Sequence, residues 1–353
     1  MIEYINVPNN PHKFKQFYCT LDDAYLTNDN ASEFFPKEFI TVVHENKYVK
    51  VSIDKDSEKR GDPTIYLNDD YVINPSNPLI IEEDIFLLYD NAGRNYAHFW
   101  FDFFGRLYYY DLLKKSNPNL KLGIREEHYE YKGKCDYIKQ VINLCYGDIS
   151  PVIFKSKESY KIQKLVIPNS FYWFPEGYGH EPIIDKVKKM ASNIDKIEVS
   201  TNGCYISRQD TIKRQWNHKR NLLNEIELID KIKINLNYDI IELMDYDIIG
   251  KIQIFKSYKN IIQQNGAANV NVMFSGLENT HIIISYPKQA DWMNSKLNQF
   301  CNYIGSNLIV LEDVGVEISQ DEEDDNNPWK LNDIDNLIDI FKQIDDGSIW
   351  DSP

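Results

Sequence analysis

The chain has 353 residues, 42% hydrophobic and 26% charged, with 39 basic against 54 acidic side chains and a formal charge of −15. That length favours two domains over one, and the composition is sufficient for a sizeable core. So acidic a chain is a poor match to a general nucleic-acid or anionic-membrane binder, whose affinity rests on Lys and Arg neutralising phosphates.

Any anionic ligand must therefore be met by a local basic patch. The five cysteines (Cys19, Cys135, Cys145, Cys204, Cys301) are scattered, without a CxxC pair, and support neither a zinc site nor a disulfide framework. The opening "MIEYINVPNN" lacks the basic and apolar regions of a secretory signal. No apolar run approaches the ~20 residues that span a bilayer. A soluble, cytoplasmic protein is expected, and heavy use of Asn, Ile, Lys and Tyr suits an AT-rich genome, viral or other.

Residues 1–80 read as a β-rich extension of short pieces such as "EFITVVH" and "KYVKVSI", separated by Asn, Asp and Pro clusters. Arg60-Gly61-Asp62 reads as a turn. An aromatic helix is expected from 93 to about 115, followed by the strand "LKLGI" and the amphipathic helix "CDYIKQVINLCYG", ending at Gly147. The strand "KLVIP", an aromatic loop "NSFYWFPEGYGHEP" and the helix "IIDKVKKMASNI" complete a strand–helix alternation typical of α/β architecture.

The second half repeats that alternation. "GCYISR" is a strand ending in Arg208, and a basic loop leads to a helix that Asn224 and Glu227 open as a capping-box-like pair. "YDIIEL" is a strand, Asp247 caps "IIGKIQIFKSY", and the strand "KNIIQQ" breaks at "NGAAN" into a helical run before the strand "HIIIS". The acidic stretch 316–328 reads as a linker, and "LNDIDNLIDIFKQI" as a terminal amphipathic helix with apolar residues at 334, 337, 338 and 341.

Three segments could carry chemistry. In "GRNYAHFWFDFFGRLYYYDLL", Asn95, His98, Asp102, Arg106 and Tyr109 fall within an arc of roughly 80° at about 100° per residue. This polar ladder is either a buried hydrogen-bonded seam, with Asp102 and Arg106 paired, or one wall of a site in which His98 or Asp102 is a general base. The run "RQDTIKRQWNHKR" gathers Arg208, Lys213, Arg214, Lys219 and Arg220 just after a strand, where open α/β sheets bind ligands. It is either a solvated face or an anion site built on arginine forks. In "QQNGAANVNVMF" a small-residue turn at Gly266 opens a helical run, as a phosphate-contacting loop or an ordinary tight turn. Asp245-Tyr246-Asp247 reads as capping and not as a metal site.

Taken in order, these segments resemble glycosyltransferase family 61, which includes plant xylan arabinosyl- and xylosyltransferases and animal O-linked N-acetylglucosaminyltransferases. The similarity rests on Asn95-x-x-His98-x-x-x-Asp102 with Arg106-Leu107, on "YISRQD" with Arg208, on "LLNE" from Leu222 to Glu225, on Gly266-Ala267 with Asn271, and on the tail "NPWKLNDIDNLIDIF". It covers about residues 80 to 347. The chain departs from the family pattern at Asn265, where the family usually has His, and at Gly250-Lys251, where it favours Glu-Gln.

The resemblance implies an α/β fold of two Rossmann-like domains facing a cleft, the GT-B type, with the C-terminal helix packing back. The expected divisions are 1–80, an acceptor-side domain 81–195, a nucleotide-sugar domain 196–315, a linker 316–328 and the helix 329–347. It further implies inverting, metal-independent transfer of a sugar, xylose or N-acetylglucosamine, from a UDP-sugar to a glycan or glycoprotein hydroxyl. No cofactor beyond that co-substrate and no nucleic-acid partner are expected. His98, Asp102 and Asn95 are the expected catalytic residues. Arg208, Lys213, Arg214, Asn265, Gly266, Ala267 and Asn271 would bind the donor, and Trp173 and Tyr178 the acceptor. The alternative is a catalytically inactive sugar- or nucleotide-binding protein on the same scaffold.

Overall fold

The computed structural model describes residues 2–5, 16–27, 41–44, 47–52, 64–68, 75, 77–88, 96–129, 136–155, 158–168, 181–209, 221–287, 291–318 and 327–351. These fall into two units, Met1–Lys186 and Val187–Pro353.

The first unit is built on one nine-stranded mixed sheet. Its strands are β1 (Ile2–Ile5), β2 (Gln16–Thr27), β3 (Thr41–His44), β4 (Lys47–Ser52), β5 (Thr64–Asn68), β6 (Leu79–Leu88), β7 (Lys121–Arg125), β8 (Val152–Phe154) and β9 (Tyr160–Pro168). They lie in the order β5-β4-β3-β2-β9-β6-β7-β8, with β1 on β2. β6 runs parallel to both β7 and β9, and β2 joins β9 antiparallel. The residues expected as a β-rich extension supply β1 to β5 of this sheet. Ile85 to Leu88 are all buried, as befits a central parallel strand covered on both faces.

The aromatic segment is the crossover from β6 to β7. It differs from the expected regular helix: Tyr96–His98 is α-helical, Phe99–Phe103 forms a π-turn, and α1 (Phe104–Ser116) resumes the α-helix. Phe99, Trp100, Phe103 and Phe104 are fully buried and pack ring on ring, with Trp100 and Phe104 centroids 4.9 Å apart. A π-turn inserts an extra residue into the helical repeat, so an arc worked out for an unbroken α-helix does not carry from His98 to Arg106. Tyr109 accordingly lies inside the core and Arg106 is half-buried. The next helix, α2 (Tyr137–Tyr146), buries Tyr137, Ile138, Val141 and Ile142 and stops at Gly147, whose φ of 67° suits glycine. Asp111 of α1 accepts Tyr146 OH at 2.8 Å and Lys186 Nζ at 2.5 Å, tying α2 and α3 (Glu181–Ala191) to the crossover.

The second unit is a five-stranded parallel sheet. Its strands are β10 (Gly203–Ile206), β11 (Asp239–Ile241), β12 (Asn260–Gln264), β13 (Thr280–Ile284) and β14 (Asn307–Leu311). The spatial order β11-β10-β12-β13-β14 is the doubly wound 2-1-3-4-5 arrangement. The intervening helices are α4 (Glu225–Leu236), α5 (Ile248–Ser257) and α6 (Asp291–Ile304), and a 3-10 segment, Ala267–Phe274, follows β12. One sheet face, with Tyr205, Ile262, Ile282 and Ile284, is covered by Leu228 and Ile232 of α4 and by α7 (Ile334–Asp346). Ile334, Leu337, Ile338 and Phe341 of α7 are buried as the apolar spacing predicts, so the terminal helix packs back on this sheet. The opposite face carries His281, stacked on Phe255 of α5.

Two local expectations meet different fates. Asp247 does cap α5, its carboxylate accepting the Gly250 N–H at 2.8 Å. Asn224 does not cap α4. Its amide donates to Leu331 O at 3.2 Å and accepts Leu331 N–H at 3.0 Å, because a side-chain amide can pair with a strand as readily as with a helix end. That strand, β16 (Trp329–Leu331), pairs antiparallel with β15 (Gly315–Glu317), so the expected acidic linker begins in strand.

Two predictions follow from this packing. A Cβ at Gly203 would lie 2.4 Å from the Tyr238 ring and 2.8 Å from Asn260 O, so Gly203→Ala should cost about 1–3 kcal/mol, read as a lower urea midpoint at unchanged slope. Burial holds the His281 pKa down, from the usual 6.5 to about 3. The unfolded chain therefore binds a proton in that window that the folded chain refuses, so this stability contribution is complete above pH 6.5 and lost as pH falls toward 3. The urea midpoint of the protein should thus fall more steeply across that window than that of His281→Met.

Candidate active site

In a doubly wound sheet, chain crossings diverge to opposite faces at one point of the strand order, leaving a crevice beyond the carboxyl ends. Here that point lies between β10 and β12. Arg208 follows β10 and the turn Asn265-Gly266 follows β12, so separate sequence segments meet there. The Arg208 Nη1 donates to the Asn265 carbonyl at 3.1 Å. A Cβ on Gly266 would sit 3.3 Å from that same nitrogen. Gly266 has φ 168°, extended backbone open to any residue, so glycine serves here for room above the guanidinium.

The turn is held from within. Gly266 N–H donates to Asn269 Oδ1 at 2.5 Å, and Asn269 Nδ2 returns a bond to Gln264 O at 3.1 Å. Asn265 N–H bonds Ile284 O at 3.1 Å, carrying the β12–β13 ladder one residue further. Its Nδ2 donates to Asn294 Oδ1 at 3.3 Å, while its Oδ1 is buried without a hydrogen-bond partner among the described residues. Asn271, fully buried in the 3-10 segment, donates to Ala268 O at 2.8 Å. The structure therefore brings together Arg208, Asn265, Gly266 and Ala267, with Asn271 behind them as a buried support.

Beneath Arg208 lies a residue to which sequence reasoning assigned no role. Glu225, the first residue of α4, is 0% exposed. Its Oε1 accepts Tyr205 OH at 3.0 Å, Arg208 N–H at 2.9 Å and Gln264 Nε2 at 2.8 Å, and its Oε2 accepts Gln209 Nε2 at 2.7 Å. Gln264 Nε2 also donates to Tyr205 OH at 2.7 Å. Burial first, and the Glu225 charge second, hold the Tyr205 phenol well above its usual range, so it stays a donor. The available signal was "LLNE": a Glu in the first turn of a helix, beside a loop rich in donors.

The other expected site residues are placed less fully. Asn95, Trp173, Tyr178, Lys213 and Arg214 lie outside the described residues. His98 and Asp102 belong by their backbone to the crossover that follows β6, and their side chains lie outside the described part. That crossover begins beyond the carboxyl end of a parallel strand, the position at which α/β sheets place ligands, and π-turns are frequent at functional sites. Among the described residues no three His, Cys, Asp or Glu side chains are grouped as metal ligands, and no helix is long and apolar enough to cross a membrane.

A family model described as Glycosyltransferase 61 matches residues 96–283, from the crossover after β6 into β13. Comparison with curated proteins gives no match.

The turn itself can be tested. Asn269 is fully buried and bridges both sides of Gly266. Asn269→Ala should cost about 1–3 kcal/mol in urea unfolding, because it orphans the part-buried Gly266 N–H and the buried Gln264 carbonyl together.

Proposed function

The chain belongs to glycosyltransferase family 61 and is a glycosyltransferase, and on that premise we propose that it transfers a sugar from a UDP-sugar to a hydroxyl of a glycan or protein-linked acceptor. The observation that carries the donor side is the Arg208 guanidinium, fixed on the Asn265 carbonyl over Gly266 at the switch point of the parallel sheet.

The chemistry asks for two things. The acceptor oxygen attacks the anomeric carbon from the face opposite the nucleotide, and the bond from that carbon to the diphosphate oxygen breaks, its electron pair leaving with UDP. A base must take the hydroxyl proton, and positive groups must meet the charge that develops on the diphosphate. Arg208 suits the second task, since the planar guanidinium presents N–H donors in a fork that matches phosphate oxygens. Lys213 and Arg214, in the basic loop after it, would add charge in place of a metal, and the attack from the opposite face inverts the anomeric centre. Gly266 and Ala267 leave room for the donor, and Asn265 lines it through the carbonyl that seats Arg208.

On the acceptor side, His98 serves as the base, oriented by Asp102 and supported by Asn95, with Trp173 and Tyr178 stacking on sugar. Support comes from the place of His98 and Asp102 in the crossover beyond β6. The proposal takes the two units as the acceptor and donor halves of a GT-B enzyme acting in the cytoplasm. Xylose and N-acetylglucosamine are the sugars the family suggests.

Calorimetry with UDP, and UDP release from a panel of UDP-sugars, test this reading. Arg208→Ala should weaken UDP binding by about 100-fold, the loss of one charge-assisted bidentate contact. His98→Ala should retain UDP binding and lose at least about 100-fold in turnover, as removal of a general base does. An Arg208→Ala protein that binds UDP as tightly as the parent would overturn the placement of the diphosphate.

A further inference from the structure

We propose that Glu225 is the positioning residue of the donor site, acting through Arg208. The inference rests on the reading of Arg208 given above. Glu225 cannot itself touch a ligand, because it has no exposed surface. Its four hydrogen bonds come instead from the rim of the crevice: Tyr205 in β10, Arg208 and Gln209 in the loop after it, and Gln264 at the end of β12. One oxygen, Oε1, receives a donor from each of the two strands flanking the crevice and the main-chain N–H of Arg208 as well.

A buried carboxylate without donors is costly enough that each of those bonds must be kept. The spacing of the two strand ends and the position of the Arg208 backbone are therefore set by the same atom. The guanidinium is fixed at its far end by Asn265 O, which follows Gln264 directly. Arg208 is thus held at two points, its main chain by Glu225 and its side chain by the turn after β12. Both points move with β12, so a shift of Gln264 would be transmitted to both. Pre-organisation of this kind matters because a misplacement of about 1 Å in a binding group can cost on the order of 100-fold.

A residue that merely stabilises the unit would lower the melting temperature and leave its effect on UDP independent of Arg208. A residue acting through Arg208 would lose its effect on UDP once Arg208 is gone. The test is a double-mutant cycle read by UDP calorimetry, below the melting temperature of every variant as followed by circular dichroism. Glu225→Ala is expected to weaken UDP about 30-fold, and Arg208→Ala combined with Glu225→Ala should bind no more weakly than Arg208→Ala alone. Glu225→Gln should stay within about 5-fold of the parent, since its amide nitrogen can be met by turning the Gln209 amide over. Should Glu225→Ala fail to fold, the same cycle is run with Glu225→Asp. That variant keeps the charge, shortens the reach by one methylene and should weaken UDP about 10-fold, again only when Arg208 is present. Additive losses in the cycle, or an unchanged affinity in folded Glu225→Ala or Glu225→Asp, overturn the proposal. An unchanged affinity in Arg208→Ala alone overturns the donor-site reading instead, so the two failures are distinct.

Discussion

A carboxylate removed from water is tolerated only where donors replace the water it has lost. Glu225 meets that demand with a tyrosine hydroxyl, a main-chain N–H and two side-chain amides. Because those donors come from both strands at the switch point, satisfying one charge aligns β10, β12 and the opening of α4 together. Much of the second unit is arranged around that requirement. Tyr205 reaches the carboxylate from within the core face that α4 and α7 cover. Gln264 ends β12 with its amide turned to Glu225 and its carbonyl bound by Asn269. Where Gln264 stops, the Asn265–Gly266 turn begins, and with it the seat of the Arg208 guanidinium.

The first unit solves a different problem. The crossover between β6 and β7 must bury two adjacent pairs of bulky residues, Phe99-Trp100 and Phe103-Phe104. The chain answers with a π-turn over Phe99–Phe103, bracketed by α-helix on either side. The turn follows β6, a strand so enclosed that Ile85 through Leu88 are all buried. Asp111, one α-helical turn beyond Leu107, anchors the far end of the crossover through Tyr146 and Lys186.

Legibility followed interaction range. Asp247 as a cap was readable because a cap bonds only to its own first turn. The buried stripe of α7 was readable because periodicity is a local property. Asn224 misled for the converse reason: its amide had a distant partner, Leu331, that outcompeted the helix end. The π-turn lies outside local periodicity, and its Phe99 packs on Tyr137 of another element. Glu225 stood in a motif that was noticed, yet its role depends on four donors from two strand ends and a loop.

The amino-acid sequence by itself determined the strand–helix alternation of the second unit, the basic and small-residue segments at its strand ends, and the order of motifs that marks the family. These depend on hydrophobic period, turn chemistry and composition, which act within a few residues. Only the tertiary structure decided that the β12 turn carries Arg208, that β11 and β12 flank β10, and that a buried carboxylate joins the two strand ends. Those facts rest on hydrogen bonds between residues as far apart as Arg208 and Asn265, and no local pattern encodes which distant donor will satisfy a buried charge.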